Sequence, residues 1–169
     1  MPDQYIIRPL TADDLPHVAT LEARIYGPGR FARTAYRLRE GNAQHTELCM
    51  SAWRGDTIAG AVRFTHITLG EACDAALLGP LTVATEHTGH NLGVRLIEAA
   101  ANVARSINIS ALILVGDAPY YAKAGFTPVP NGQITMPGPV DPTRLLILEL
   151  TPGVTKNCHG TIKARPQAN

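Results

Sequence analysis

The first part of the chain places short β-type runs around a segment with helical spacing. The run Tyr5–Arg8 is short and rich in β-branched side chains, which predicts an opening strand. The side-chain oxygens of Thr11–Asp14 suit the start of a helix, and the Gly27–Gly29 turn suits its end. Between them, apolar residues recur every three or four positions, so a helix with one buried face is predicted. This stripe consists of Leu15, Val18, Leu21 and Ile25.

A second helix is predicted over residues 31–40, with several arginines on or beside it. These arginines either attract an acidic substrate or form a solvated helix face, and the solvated face is the favoured interpretation. They are Arg30, Arg33, Arg37 and Arg39.

The middle of the chain has the pattern of antiparallel strands. Glu47–Trp53 and Thr57–Leu69 are strand-like and are joined by a tight turn at Gly55, which predicts a hairpin. Ala75–Val83 is also strand-like but contains Gly79-Pro80. Proline cannot donate to a sheet ladder, so a bulge or a splayed edge is expected there. A strand that leaves its neighbour opens a slot and frees backbone groups for a ligand.

The second half begins with a clear amphipathic helix from Leu92, followed by the continuous apolar run Ala111–Val115. Strand, helix and strand of this length predict a right-handed parallel crossover. A short helix over Ala118–Ala124 and a last strand over Leu145–Leu150 follow, and the polar tail from Thr151 is expected to be irregular. The predicted buried stripe of the long helix is Leu92, Leu96, Ala99, Ala100, Val103 and Ile107.

Composition narrows the classes of protein. A chain of 169 residues is most simply one domain, here residues 1–150 with a C-terminal tail of 151–169. A net charge of +1 without a basic run gives no reason to expect a nucleic-acid partner. No apolar run approaches the ~20 residues that span a bilayer, and the N-terminus lacks a leader pattern. We therefore predict a soluble, cytoplasmic protein without a membrane partner.

The cysteines and histidines give little support for a bridge or a metal. Cys49, Cys73 and Cys158 are far apart and form no Cys-x-x-Cys, so neither a disulfide framework nor a zinc site is predicted. Cys49 lies in a strand-like run and is expected to be a core residue. His87 and His90 share a loop but have no carboxylate or cysteine beside them, so no metal is expected.

The candidate chemistry lies between Leu81 and Gly93, where a strand, a loop with two glycines and a helix follow one another. A helix start exposes unpaired N–H groups at the positive end of the helix dipole, which suits a phosphate or pyrophosphate. A P-loop is disfavoured because no Lys-Ser/Thr follows the glycines. An ordinary strand-to-helix turn remains the alternative.

The order of these elements and three motifs resemble the GNAT superfamily of acyl-CoA-dependent N-acetyltransferases over residues 5–150. The loop Thr88–Gly93 corresponds to that family's Gln/Arg-x-x-Gly-x-Gly/Ala signature, Tyr121–Phe126 to its Tyr-x-x-x-Gly-Phe motif, and Ile7-Arg8-Pro9 to a common opening. Thr88 and Asn91 depart from the signature. Backbone amides do most of the binding in such loops, and asparagine tolerates a left-handed conformation best among the non-glycine residues.

The resemblance implies an α/β fold with a central mixed, mostly antiparallel sheet, a parallel crossover from the fourth to the fifth strand, and flanking helices. It also implies acetyl-CoA as the acyl donor, with no metal. The pantetheine would pair with the backbone of the fourth strand, where a backbone N–H would polarise the thioester. The pyrophosphate would meet the loop, with His90 near a phosphate. The implied cofactor-binding residues are Leu81, Thr82, Val83, Thr88, Gly89, His90, Asn91, Leu92, Gly93 and Val94.

The implied reaction is direct attack of a primary amine on bound acetyl-CoA in a ternary complex, with Tyr121 as the general acid and Tyr120 packing beside it. The acceptor is a small molecule or a peptide, and a homodimer is in keeping with the family. Glu71, Glu86 and His66 are considered for the general base, but spacing favours none of them and no base is assigned. Loss of the amine proton through ordered water is the alternative. The alternatives are a catalytically inactive acyl-CoA-binding or regulatory module and a non-acetyl acyl donor.

Overall fold

A computed structural model of the chain describes residues 4–27, 47–69 and 73–164. The predicted second helix with its four arginines and Glu71 lie outside these residues. The helices are α1 (Leu15–Tyr26), α2 (Leu92–Ser106) and α3 (Ala118–Ala122). The strands are β1 (Tyr5–Pro9), β2 (Met50–Arg54), β3 (Thr57–Leu69), β4 (Cys73–Val83), β5 (Ala111–Val115), β6 (Thr127–Pro128), β7 (Ile134–Thr135), β8 (Leu145–Glu149), β9 (Gly160–Thr161) and β10 (Lys163–Ala164).

The main sheet has the strand order β1-β2-β3-β4-β5-β8-β6, and β10 pairs with β3 beside this path. Its neighbouring strands run antiparallel except β4 and β5, which are parallel and joined through α2. This arrangement confirms the predicted mixed, mostly antiparallel sheet with one parallel crossover. The short strands β7 and β9 form a second, two-stranded sheet.

Helix α2 covers one face of the sheet with the apolar stripe that its spacing predicts. Leu92, Leu96 and Ala100 are buried, and they pack with sheet residues such as Val62 in one core cluster. Ile107 was placed on the same stripe, but it follows the last helical residue and is 39% exposed, so that assignment was wrong. Across the described ranges, no helix is both long and apolar enough to cross a membrane.

Helix α1 is held at its start by an ion pair. Arg8 on β1 donates two hydrogen bonds to the Asp14 carboxylate, at 2.7 and 3.0 Å, and the Thr11 amide donates a third at 2.8 Å. The Arg8 guanidinium also lies 4.9 Å from the Trp53 ring centroid. The hydrogen bonds from Arg8, more than that from Thr11, lower the pKa of Asp14 to about 2.

This pKa predicts an acid-sensitive contribution to stability. A carboxyl group with a lowered folded-state pKa stabilises the fold above its unfolded pKa of about 4 and loses that effect as the pH falls toward 2. Because Arg8 is half-exposed and screened, we expect roughly 1 kcal/mol to be lost between pH 6 and pH 3. Urea unfolding at both pH values should show this extra loss in the wild type and not in Asp14→Asn. An equal loss in both proteins would contradict the assignment.

The segment after β8 is part of the fold, so the predicted irregular tail was wrong. Residues Val154–Asn157 form a 3-10 helix, β9 and β10 follow it, and Val154, Cys158 and Ile162 are buried in a second core cluster. The returning chain lies against the edge of β3 that β2 leaves free, because β10 pairs with Ile67 and Thr68.

The cysteines also differ from the sequence-based expectation. Cys73 and Cys158 form a disulfide across a sequence separation of 85, with Cα atoms 5.4 Å apart. The prediction of no disulfide was therefore wrong. Distance along the chain hid the pair, and the returning tail brings it together. Cys49 is a buried core residue, as predicted, and is outside the disulfide; burial raises the pKa of its thiol to about 11.

Candidate active site

Strands β4 and β5 separate partway along their length. In the part of the chain that the structure describes, they pair only between Ala75–Leu77 and Ala111–Ile113, although β4 continues to Val83. The pairing of β4 with β3 also shifts at Gly79-Pro80, as the proline predicted. The second half of β4 therefore borders a slot in the sheet. Its polar backbone groups face the side that β5 has left.

The helix start beyond β4 has the geometry of an anion site. Asn91 has a left-handed backbone with φ 59°, and its side chain makes no capping hydrogen bond. The first helical hydrogen bond runs from the Arg95 amide to the Asn91 carbonyl, at 3.1 Å. The amides of Leu92, Gly93 and Val94 precede that bond and have no partner within the helix. They add to the positive end of the helix dipole.

The structure places the predicted cofactor-binding residues on the end of β4, on the loop that follows it and on the first turn of α2. Leu81, Thr82 and Val83 lie on the splayed end of β4, and the loop leads from them to the start of α2. Thr88 turns its hydroxyl back to the Thr85 carbonyl at 2.9 Å, so only its backbone is offered outward. The exposed members are Thr88, Gly89, His90 and Asn91, Val83 is half-buried, and the buried members are Leu81, Thr82, Leu92, Gly93 and Val94.

Gly93 is the point where β4, α2 and α3 meet. A methyl group at position 93 would lie 2.0 Å from the Tyr120 Oη and 3.3 Å from the Leu81 side chain. The Tyr120 hydroxyl therefore reaches across from α3 to the first turn of α2. Burial and the neighbouring Tyr26 raise the pKa of Tyr120. This location shows that Tyr120 contributes to the site region, and the sequence-based interpretation had given it a packing role.

Tyr121 lies at the end of β5, on the far side of the slot. A methyl group at Gly116 would lie 2.5 Å from the Tyr121 ring, so the ring covers the residue that follows β5. The Phe126 ring is 6.0 Å away and the Tyr120 ring is 5.0 Å away, both edge-on. The two tyrosines thus stand side by side, one toward α2 and the other toward β5.

Tyr5 on β1 anchors the loop from the opposite direction. Its hydroxyl lies 2.8 Å from Nδ1 of the buried His87, a contact between residues 82 positions apart. The centroids of the His90 and Tyr5 rings are 5.1 Å apart. The Arg54 guanidinium lies over the Tyr5 ring, 5.8 Å from its centroid. His87 is therefore a structural residue of the loop, and His90 remains exposed beside it.

The candidates for a general base are placed differently. Glu86 forms an exposed ion pair with Arg24 of α1 at 3.2 Å, and hydrogen bonding to its own backbone and to Arg24 lowers its pKa. His66 is half-buried on β3, at the paired level of Ala76 and therefore before the slot begins.

Sequence reasoning missed two residues of α1 that contact strands β3 and β4. The Tyr26 hydroxyl donates a hydrogen bond to the Leu81 carbonyl, and Glu22 pairs with Arg63 of β3 at 3.0 Å while being 7% exposed. A clue was present in the pattern. Glu22 falls on the apolar stripe between Val18 and Tyr26, and a charged residue in such a stripe needs a buried partner.

The sheet has a parallel crossover, a slot where β4 and β5 separate, and an uncapped helix start beside that slot. These are the features that the resemblance to acyl-CoA-dependent N-acetyltransferases implies. The chain belongs to the acetyltransferase (GNAT) family, whose family model matches residues 15–126.

Individual relatives agree with this assignment. The chain is 28% identical over 118 residues to the uncharacterized N-acetyltransferase YjhQ of Escherichia coli K12, a match that spans 68% of this chain and 65% of that protein. Its fold is similar to that of the N-acetyltransferase YhbS of E. coli in complex with CoA, with a TM-score of 0.84, 19% identity and 98% and 92% of the two chains covered. A Brucella melitensis GNAT acetyltransferase in complex with acetyl-CoA gives a TM-score of 0.63 at 20% identity, with 98% and 93% covered.

Proposed function

We propose that this protein transfers an acetyl group from acetyl-CoA to a primary amine by direct attack in a ternary complex. The observation that carries the proposal is the meeting of two features in one place. The splayed end of β4 offers backbone that β5 does not pair with, and the uncapped start of α2 offers amides to an anion. A ligand with a diphosphate joined to an extended amide arm matches both.

Donor binding divides between strand and loop. The pantetheine arm pairs with the backbone of Leu81 and Val83 in the slot, as an added strand pairs with a sheet edge. The diphosphate meets the backbone amides between Thr88 and Val94. The left-handed Asn91 turns the chain into α2 without a glycine, and the exposed His90 lies where a phosphate oxygen passes.

The chemistry follows from these positions. The amine nitrogen attacks the thioester carbon, the carbonyl oxygen takes up charge and a backbone N–H near Val83 stabilises it. Such a preorganised donor contributes about 3–4 kcal/mol to the transition state. The C–S bond then breaks, and the Tyr121 hydroxyl gives its proton to the departing sulfur. The residues themselves supply binding, orientation and proton transfer, and the scheme requires no metal.

The decisive experiment separates binding from turnover. Calorimetry with acetyl-CoA should show saturable binding, and adding a panel of primary amines should release free CoA thiol. Binding without thiol release across amino acids, peptides and alkylamines would favour the inactive acyl-CoA-binding module instead. Absence of heat with acetyl-CoA would refute both functions. Replacing acetyl-CoA by longer acyl-CoA donors tests the acyl preference in the same assay.

We expect Tyr5→Phe to weaken donor binding. The substitution removes only the hydroxyl and leaves His87 Nδ1 without its partner, so the loop before α2 loses a buried anchor. A net hydrogen bond of about 1 kcal/mol corresponds to roughly a fivefold higher Kd for acetyl-CoA, with kcat nearly unchanged. Calorimetry measures the Kd for acetyl-CoA, and initial rates measure kcat. His87→Asn, which retains a nitrogen or oxygen near the Nδ1 position, should lose less affinity than His87→Ala, and equal losses would contradict the anchoring role.

A further inference from the structure

A strip of polar residues lies on the α1 side of the sheet, at the level where β4 leaves β5. Ala61, Arg63 and Thr65 occupy every second position on β3 and therefore face the same side. Thr82 on β4 is paired with Ala61 and shares that side. Arg63 contacts Glu22 of α1, so this is the side that α1 covers. We refer to Arg63, Thr65 and Thr82 as the polar strip.

The polar strip contains buried atoms that lack hydrogen bonds. Of the side chains that the structure describes, Arg63 Nε, Thr65 Oγ1 and Thr82 Oγ1 are buried and make none. Both threonines are 1% exposed. Arg63 Nε forms an ion pair with Glu22 Oε1 at 3.0 Å, but its N–H is not directed at that oxygen. Buried polar atoms in native proteins nearly always have a partner, so each of these atoms is a candidate for a contact with a bound substrate.

Glu22 places a carboxylate above this strip and close to the slot. It is one helical turn before Tyr26, and residues four apart on a helix are about 6 Å from each other on the same face. The Tyr26 hydroxyl contacts the Leu81 carbonyl, which lies on the splayed part of β4. Arg63, which forms the ion pair with Glu22, lies opposite Gly79-Pro80, where the register of β3 and β4 shifts.

In the proposed function the donor occupies the α2 side of the slot. Leu81 and Val62 point toward α2, whose first turn receives the diphosphate in the proposed function. The α1 side, with Glu22 and the polar strip, is left for the amine. We propose that Glu22 binds the ammonium group of the acceptor and that the polar strip binds a hydrogen-bonding oxygen carried beside the amine. The acceptor class is then an α-amino carbonyl compound, such as an amino acid amide or a peptide N-terminus.

The proton transfers balance in this arrangement, which rests on the proposed function. The ammonium group gives one proton to the Glu22 carboxylate, and the neutral nitrogen attacks the thioester carbon. As the C–S bond breaks, the sulfur takes the proton of the Tyr121 hydroxyl. The acceptor nitrogen, now bonded to the acetyl carbon, loses a second proton, which returns to the Tyr121 oxygen. Glu22 then releases its proton to solvent. The products are the amide, free CoA and one proton.

Two matched amines and one isosteric substitution test the inference on the full chain. Glycinamide carries a carbonyl next to its amine, and propargylamine, an amine of similar basicity, does not. We expect wild-type kcat/KM to be at least about tenfold higher for glycinamide, the value of one hydrogen bond to a charged group. In Glu22→Gln, kcat/KM for glycinamide should fall about 10- to 100-fold through a higher amine KM, with the Kd for acetyl-CoA within about twofold of wild type. The exposed Glu98→Gln on α2 is the control and should match wild type in all three values.

Each outcome decides the matter. Wild-type rates that are equal for the two amines, or an unchanged Glu22→Gln enzyme, would overturn the inference and leave the acetyltransferase function intact. Acetyl-CoA binding without turnover of any amine would overturn the proposed function and the inference with it. If circular dichroism shows that Glu22→Gln does not fold because Arg63 is left unpaired, the Glu22→Gln/Arg63→Gln double variant removes both charges. It must show the same loss with glycinamide and no remaining preference between the two amines, or the inference fails.

Discussion

Replacing Tyr121 by phenylalanine is expected to lower kcat by about 10²- to 10⁴-fold, the usual effect of losing a positioned general acid. The ring stays in place against Gly116 and Phe126, so the fold and the Kd for acetyl-CoA should change little. The CoA thiol has an ordinary pKa near 8.5, so its thiolate leaves slowly even without the acid and some activity remains. Initial rates of thiol release, together with calorimetry for acetyl-CoA, measure both effects.

Tyr120→Phe is the matched control, because the two hydroxyls are on neighbouring residues but reach different elements. The Tyr120 hydroxyl lies against Gly93 at the first turn of α2, so its loss should act mainly on donor binding. A large fall in kcat for Tyr120→Phe, with Tyr121→Phe within about threefold of wild type, would move the acid role to Tyr120. That result would contradict the proposed assignment directly.

Opening the Cys73–Cys158 disulfide should cause the largest loss of stability. The bridge closes a loop with a sequence separation of 85, and the chain-entropy model gives about 4–5 kcal/mol for a loop of that length. For a chain of this size, such a loss corresponds to a Tm lower by roughly 10 °C. Thermal unfolding of the Cys73→Ser/Cys158→Ser double variant measures it. The denatured, unreduced wild type should show a single reactive thiol, that of Cys49.

Reduction provides the control for this experiment. Dithiothreitol should lower the Tm of the wild type to that of the double variant and should leave the double variant unchanged. A reduced wild type that melts at the same temperature as the oxidised protein would show that the bridge contributes no stability. A fall in the double variant on reduction would point to a different cause.

Local patterns were sufficient for most of the fold. Thr57–Leu69 and Ala111–Val115 form strands with the predicted bounds, and Gly79-Pro80 marks the register shift that the missing proline donor implied. Asn91 adopts the left-handed conformation that its side chain tolerates, with φ 59°. These outcomes depend on side-chain periodicity, on the missing N–H of proline and on backbone sterics. Each of those properties is present within a few residues of sequence.

Contacts between distant residues were beyond such reasoning. The tail contains too few apolar residues to indicate a core element, yet Cys158 and Ile162 are buried because β10 finds the free edge of β3. His87 was considered only as a weak metal ligand, and its actual partner is Tyr5, 82 positions away. Nothing local to either residue specifies that partner.

The amino-acid sequence by itself determined the hairpin, the parallel crossover and the position of the loop between β4 and α2, because those features follow from short-range spacing and from backbone chemistry. Only the tertiary structure decided that Tyr120 reaches Gly93 and that Cys73 meets Cys158. It also decided that Glu22 pairs with Arg63 and that Tyr26 contacts the Leu81 carbonyl. These contacts join strands and helices that are remote in the chain. Their partners are set by how the sheet twists and how the helices pack on it, and by no single stretch of sequence.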